Sequence, residues 1–219
     1  ENVNSCVKRP LVDKQIEAVS HIVNMERSLN FSVPGSGKTA TVLGAFEYLN
    51  HLPRYNKRHI DKLLVVGPVN CSKSWRDEYD VVSYESNNHK PLNIICSGDR
   101  YDKAQILEHD YPTSRLIIIN YESVITLSNE LSKLVDDKTM IVFDEIHRIK
   151  NVTSEKYKVL YEAAKNTRYR VALTGTPLPN GYIDLYNIIS LLHDDYTSSY
   201  FGMYHSELIA TDRVFKNTG

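Results

Sequence analysis

The sequence predicts an α/β domain with a mostly parallel central sheet and helices on both faces. Short runs rich in Val and Ile alternate with segments of helical period, the pattern that strands buried between two helix layers produce. One run passes straight into Pro34-Gly35-Ser36-Gly37-Lys38-Thr39 and then into a helical stripe, and another ends in two adjacent acids, Asp144 and Glu145. A composition of 42% hydrophobic and 24% charged residues over 219 positions excludes disorder and leaves room for one sizeable core.

In chain order, Ile16, Val19 and Val23 mark a helix ahead of the first strand. Strands are expected at residues 29–33, 63–66, 93–96, 116–119, 140–143 and 171–174, each four or five residues long and apolar on both faces. Between them Val42, Ala45, Phe46 and Leu49 recur at helical spacing, as do Tyr157, Leu160, Tyr161 and Ala164, and Leu185, Ile188, Ile189 and Leu192. Val124, Leu127, Leu131 and Leu134 mark a further helix. Residues 51–62 carry Pro53, two Arg and two Lys without periodicity and read as an exposed loop. No shift in composition precedes Asp194, so residues 1–193 are expected to form one domain and the aromatic residues 194–219 an extension.

The formal net charge of −1 gives no compositional support for nucleic-acid binding, which must therefore be argued from local motifs. The longest apolar stretches, such as residues 116–119, fall far short of the ~20 residues a membrane span requires, so no membrane is expected as a partner. No basic and apolar leader opens the sequence, and three cysteines, Cys6, Cys71 and Cys96, cannot all pair. A secreted disulfide scaffold is not expected, and the cysteines read as small buried hydrophobes.

The segment Pro34 to Thr39 lies where a phosphate-binding loop must lie, between a strand and a helix. Small residues let consecutive N–H groups turn inward around a polyphosphate at a helix N-terminus, where unpaired donors and the helix dipole favour anions. Lys38 would reach the β- and γ-phosphates, and the Thr39 hydroxyl would take a place on Mg²⁺. Ser32 stands where the pattern ordinarily opens with Gly or Ala, which leaves the Gly-Lys-Thr core intact. The weaker reading is a Gly-rich turn that caps a helix, with Lys38 solvated.

Asp144 and Glu145 end an apolar strand at the edge where open α/β sheets bind ligands. Asp144 suits Mg²⁺, since a hard cation with phosphate ligands takes carboxylate oxygen, and Glu145 suits the base that deprotonates an attacking water. An acidic strand end alone is common, and the phosphate loop upstream is what favours the functional reading. His147 has no Cys or His at ligand spacing, which argues against zinc and for a polar contact with another motif.

These segments resemble the first motor lobe of a superfamily-two helicase, of the Swi/Snf-related branch of double-stranded DNA translocases. Residues 144–151, Asp-Glu-Ile-His-Arg-Ile-Lys-Asn, resemble that branch's motif II, with Ile146 where Ala is usual. Residues 173–180, Leu-Thr-Gly-Thr-Pro-Leu-Pro-Asn, resemble motif III, with Pro179 where Gln is common. Leu11 and Gln15 resemble the adenine-reading element, residues 65–68 with 73–78 motif Ia, and Asn120-Tyr121-Glu122 motif Ib. The resemblance runs from Leu11 to about Leu192 with the motifs in family order. It implies a RecA-like lobe that binds ATP and Mg²⁺, with Gln15 on the adenine and with His147, Thr174, Gly175 and Thr176 coupling the nucleotide to the rest of the motor. It implies double-stranded DNA as a partner, contacted through Lys73, Asn120, Tyr121, Arg148 and Lys150. Family members place a second lobe after the first, with arginines that complete the ATP site. No such arginine motif follows Asn180, so the chain resembles half a motor, expected to hydrolyse ATP poorly alone.

From His147 to Arg170 seven basic residues face two acids, a local formal charge of +5 that suits phosphate contacts. A solvated helix face is the favoured reading for Lys156, Lys158 and Lys165, and core packing rather than base stacking is favoured for Trp75. Two alternatives stay open. One is a restriction-type or RNA-directed superfamily-two motor, although RNA-directed relatives more often carry Ser-Ala-Thr where this chain has Thr174-Gly175-Thr176. The other is a nucleotide-controlled interaction module without motor action. Such a motor would be cytoplasmic in a prokaryote or virus, nuclear in a eukaryote, and not secreted.

Overall fold

In a computed structural model, which describes residues 2–84, 92–93, 99–149, 151–176 and 182–193, six strands form one sheet. They are β1 (Arg27–Asn30), β2 (Lys62–Gly67), β3 (Leu92–Asn93), β4 (Leu116–Asn120), β5 (Thr139–Asp144) and β6 (Tyr169–Leu173). The order is β1-β6-β5-β2-β4-β3, and every pairing is parallel. Seven α-helices accompany them among the described residues: α1 (Asp13–Met25), α2 (Lys38–His51), α3 (Cys71–Val82), α4 (Arg100–Asp110), α5 (Ser128–Leu134), α6 (Glu155–Lys165) and α7 (Tyr182–Leu192).

Successive side chains of a strand point to opposite faces, and the core divides accordingly. Leu63, Val65, Ile118, Met140, Val142 and Val171 pack with α1, α2 and α3, while Leu64, Val66, Ile117, Ile141, Phe143 and Ala172 pack with α4 to α7. Right-handed crossovers explain the division. The connections from β1 to β2 to β3 move one way along the sheet and those from β3 back to β6 the other, so their helices fall on opposite faces. The neighbours β2 and β5 therefore send their following loops to opposite faces, which opens a crevice at the C-terminal edge. At the other edge the buried Arg115 donates to Glu47 at 2.9 Å, Asn50 at 2.8 Å and Tyr79 at 3.2 Å, tying α2 and α3 to β4 through a hydrogen-bonded ion pair.

Several elements depart from expectation. β1 spans Arg27–Asn30 rather than 29–33: among the described residues it is an edge strand paired only with β6, and the Asn30 side chain accepts from the Ser32 N–H at 2.9 Å, which turns the chain out of the sheet. Phe31 and Val33, expected inside, are 39% and 71% exposed. Val124 and Leu127 are buried as their stripe predicts, but the segment runs as turns and α5 begins only at Ser128. α4 was not expected, because Leu107 is its one deeply buried side chain; its signal is the capping box in which Asp99 accepts from Tyr101 and Asp102 and Asp102 accepts from Asp99. The loop after α2 is exposed at Tyr55, yet His59 and Ile60 turn inward and are buried. Of the strand expected at 93–96, Asn93 belongs to β3 and residues 94–96 lie outside the described residues, as does the extension from 194. Cys6 and Cys71 are both buried; burial, with the Asp144 charge adding to it, pushes the Cys71 thiol up to about 12.

Candidate active site

The segment after β1 forms a loop closed by two residues of left-handed backbone, Gly35 at φ 80° and Gly37 at φ 79°, which residues with a Cβ adopt only under strain. Gly37 is the N-cap of α2, so the loop sits on a helix N-terminus. Lys38 Nζ donates to the carbonyls of Ser32 at 2.8 Å and Val33 at 3.2 Å, which folds the ammonium over the loop. Pro34, Gly35 and Ser36 are exposed, and Thr39 is half-buried on the first turn of α2. Gln15 lies against this loop: its Oε1 accepts from the Val12 N–H at 3.1 Å, and a Cβ on Gly37 would run into its Nε2. If its amide pairs with a purine edge, this chain should bind ATP about 30-fold more tightly than GTP, since two neutral hydrogen bonds contribute roughly 1 kcal/mol each. Competition titrations that find equal affinity would remove Gln15 from that role.

β5 delivers Asp144 and Glu145 to the same edge. Asp144 is half-buried, and its Oδ2 accepts from Trp75 Nε1 at 2.8 Å. Burial holds its carboxyl above the usual carboxylate range and the Glu145 charge adds to this, while the Trp75 bond and the Lys38 ammonium oppose it. Glu145 is more open and takes a left-handed backbone at φ 50°, ψ 50°, a conformation that costs a non-Gly residue on the order of 1–3 kcal/mol and that clusters at functional sites. Asp144 and Thr39 offer hard oxygen donors of the kind Mg²⁺ takes beside phosphate. Among the described residues no three His, Cys, Asp or Glu converge on one point, so the other ligands of such an ion would be phosphate oxygens and water.

His147, in the short 3-10 turn Ile146–Arg148, joins β5 to the end of β6. Its Nδ1 lies 3.2 Å from Glu145 Oε2, 2.9 Å from Thr174 Oγ1 and 3.3 Å from Thr176 Oγ1. The Thr176 N–H also donates to Thr174 Oγ1 at 3.1 Å. Gly175 closes the group on the phosphate loop, where an added Cβ would sit 3.2 Å from Pro34 Cγ. The acidic pair, the histidine, the threonines and the phosphate loop thus form one connected edge; residues 177–180 of the same motif lie outside the described residues.

The residues expected to meet nucleic acid divide. Lys73 and Arg148 are exposed, and Lys150 lies outside the described residues. Asn120 is buried and donates to Glu122 at 3.1 Å. Tyr121 corrects the expectation for its side chain: it is 2% exposed, and its hydroxyl donates to the Asp144 carbonyl at 2.7 Å, so the phenol serves the interior. Arg170 likewise adds nothing to the basic surface, being fully buried with its guanidinium donating to the Leu192 carbonyl at the end of α7 at 3.1 Å. Trp75 is fully buried, as favoured, but its bond to Asp144 had no signal in the sequence.

A family model described as SNF2-related domain matches residues 15–210. The chain is 28% identical over 190 residues to the ISWI chromatin-remodeling complex ATPase ISW1 of Saccharomyces cerevisiae, covering 83% of this chain and 15% of that protein. It is 27% identical over 197 residues to the human SWI/SNF-related matrix-associated actin-dependent regulator of chromatin subfamily A member 1, covering 87% of this chain and 18% of that protein. The chain thus spans less than a fifth of the length of either relative. Its fold is that of the Sulfolobus solfataricus SWI2/SNF2 ATPase core solved in complex with double-stranded DNA, with a TM-score of 0.71 and 24% identity over 98% of this chain and 45% of that one.

Proposed function

Because the chain belongs to the SNF2-related domain family, we propose that it is the first lobe of a DNA-dependent ATPase, one that couples ATP hydrolysis to translocation along duplex DNA. The observation that carries this reading is the single crevice edge shared by Lys38, Asp144, Glu145 and the His147–Thr174 contact. The yeast relative named above is a chromatin-remodeling complex ATPase by description and the human one a regulator of chromatin, and the similar ATPase core was solved on duplex DNA, which supports the same reading. Among the described residues no helix is long and apolar enough to cross a membrane.

The loop N–H groups and Lys38 bind the triphosphate, and Gln15 orients the base. Asp144 and Thr39 would hold Mg²⁺, which when bound neutralises charge on the phosphate oxygens. Glu145 takes the proton of the attacking water. His147, in contact with Glu145 and Thr174 together, relays the state of that carboxylate to the end of β6. Lys73 and Arg148 meet the phosphates of one DNA strand, a contact without sequence information, as stepping along any DNA requires. A second, similar lobe closes the crevice. The protein acts where DNA is, in the nucleus of a eukaryote or the cytoplasm of a prokaryote.

Lys38→Ala tests the nucleotide site. The variant should fold, since among the described residues the Lys38 ammonium hydrogen-bonds only to loop carbonyls, and should bind ATP about 10–100-fold more weakly, the value of one charge-assisted contact. Unchanged affinity by calorimetric titration of the folded variant would refute the assignment.

A further inference from the structure

We infer that Trp75 is a positioning residue for the candidate metal site, holding the Asp144 carboxylate so that its second oxygen faces the phosphate loop. An indole N–H is a donor only, and a fully buried one must find an acceptor. Here the acceptor is not a carbonyl of the surrounding core but the half-buried carboxylate at the end of β5, at 2.8 Å. The bond engages Oδ2 and restrains the carboxylate, whose Oδ1 keeps a lone pair for a cation. The Tyr121 hydroxyl fixes the same residue from its main-chain side, at the peptide that leads into the left-handed Glu145. Trp75 stands two residues beyond Lys73 in the first turns of α3, so a rigid helix links an exposed cation on the proposed DNA side to the carboxylate on the nucleotide side. Partners of this kind orient a metal's ligands, and their loss typically lowers metal affinity by about 10–100-fold.

This rests on the proposed nucleotide site, and the test separates the two. ATP binding to the 219-residue chain is measured with Mg²⁺ and again with excess EDTA, for the wild type and for Trp75→Phe, which keeps an aromatic ring and removes the N–H. The wild type should gain affinity on adding Mg²⁺; no ATP binding in either condition would sink the proposed function itself. Trp75→Phe should lose about 10–100-fold of the Mg²⁺-dependent gain while metal-free binding stays as in the wild type. An unchanged gain, or an equal loss in both conditions, would mean that Trp75 only packs and would overturn the inference. Should Trp75→Phe fail to fold, the wild type decides the matter, because Trp75 is the single tryptophan of the chain. Its emission should shift when Mg²⁺ joins bound ATP and should not do so in Asp144→Asn; an emission indifferent to Mg²⁺ would overturn the inference.

Discussion

Phosphate release by the 219-residue chain alone is expected to be on the order of 10³–10⁵ slower than release by a chain that also carries the second lobe, with or without duplex DNA. The crevice edge described above offers the proposed phosphate loop, metal carboxylate and base, all on one side of the proposed nucleotide site. Arginines aimed from the opposite side stabilise charge that develops only in the transition state, which is why their contribution appears in rate more than in binding. The chain spans 45% of the similar ATPase core, so there is room in such a protein for that opposite side. Robust DNA-stimulated turnover by the 219 residues alone would show that the argument for a second lobe is wrong. In the two-lobe protein, stimulation should fall with rising salt, because phosphate contacts release counterions. An ATPase that ignores DNA would favour the interaction-module alternative.

In that two-lobe protein, Glu145→Gln should bind ATP with unchanged affinity and lose about 10²–10⁴ in steady-state hydrolysis, the usual contribution of a positioned general base. The amide keeps the size and polarity of the side chain and cannot take a proton. The Tyr121 bond to the carbonyl that precedes the left-handed Glu145 is left in place by the substitution. The contact with His147 would change from a carboxylate to an amide, so coupling to Thr174 should weaken as well. Undiminished turnover would remove Glu145 from the role of base. Loss of nucleotide binding with loss of turnover would point instead to a part in holding the phosphates.

Much of this was legible in the sequence, for a local reason. Apolar residues at helical spacing in α2 and α6, and the two-sided apolar runs of β2, β4 and β5, announce their own environment, because each period reports which faces of one element are covered. The phosphate loop is also local: its Gly residues, Lys38 and Thr39 are contiguous, and the two left-handed glycines are its backbone requirement. Where the local signal was weak the reading slipped. β1, covered on one side only by a partner strand, ends three residues early, and α4 shows no stripe because it buries so little.

By itself, then, the sequence determined the α/β class, the glycine-rich loop that opens α2 and the acidic strand end. Tertiary structure alone decided which distant side chains meet there: Trp75 and Asp144 are 69 residues apart, Tyr121 and Asp144 23, and His147 and Thr174 27. Those meetings follow from β5 lying between β2 and β6, an order that depends on how whole helix layers pack and on the handedness of the crossovers. No residue period encodes that order. A tyrosine or a tryptophan after a strand therefore reads alike in sequence whether it faces DNA or supports a carboxylate, and only the sheet order places it.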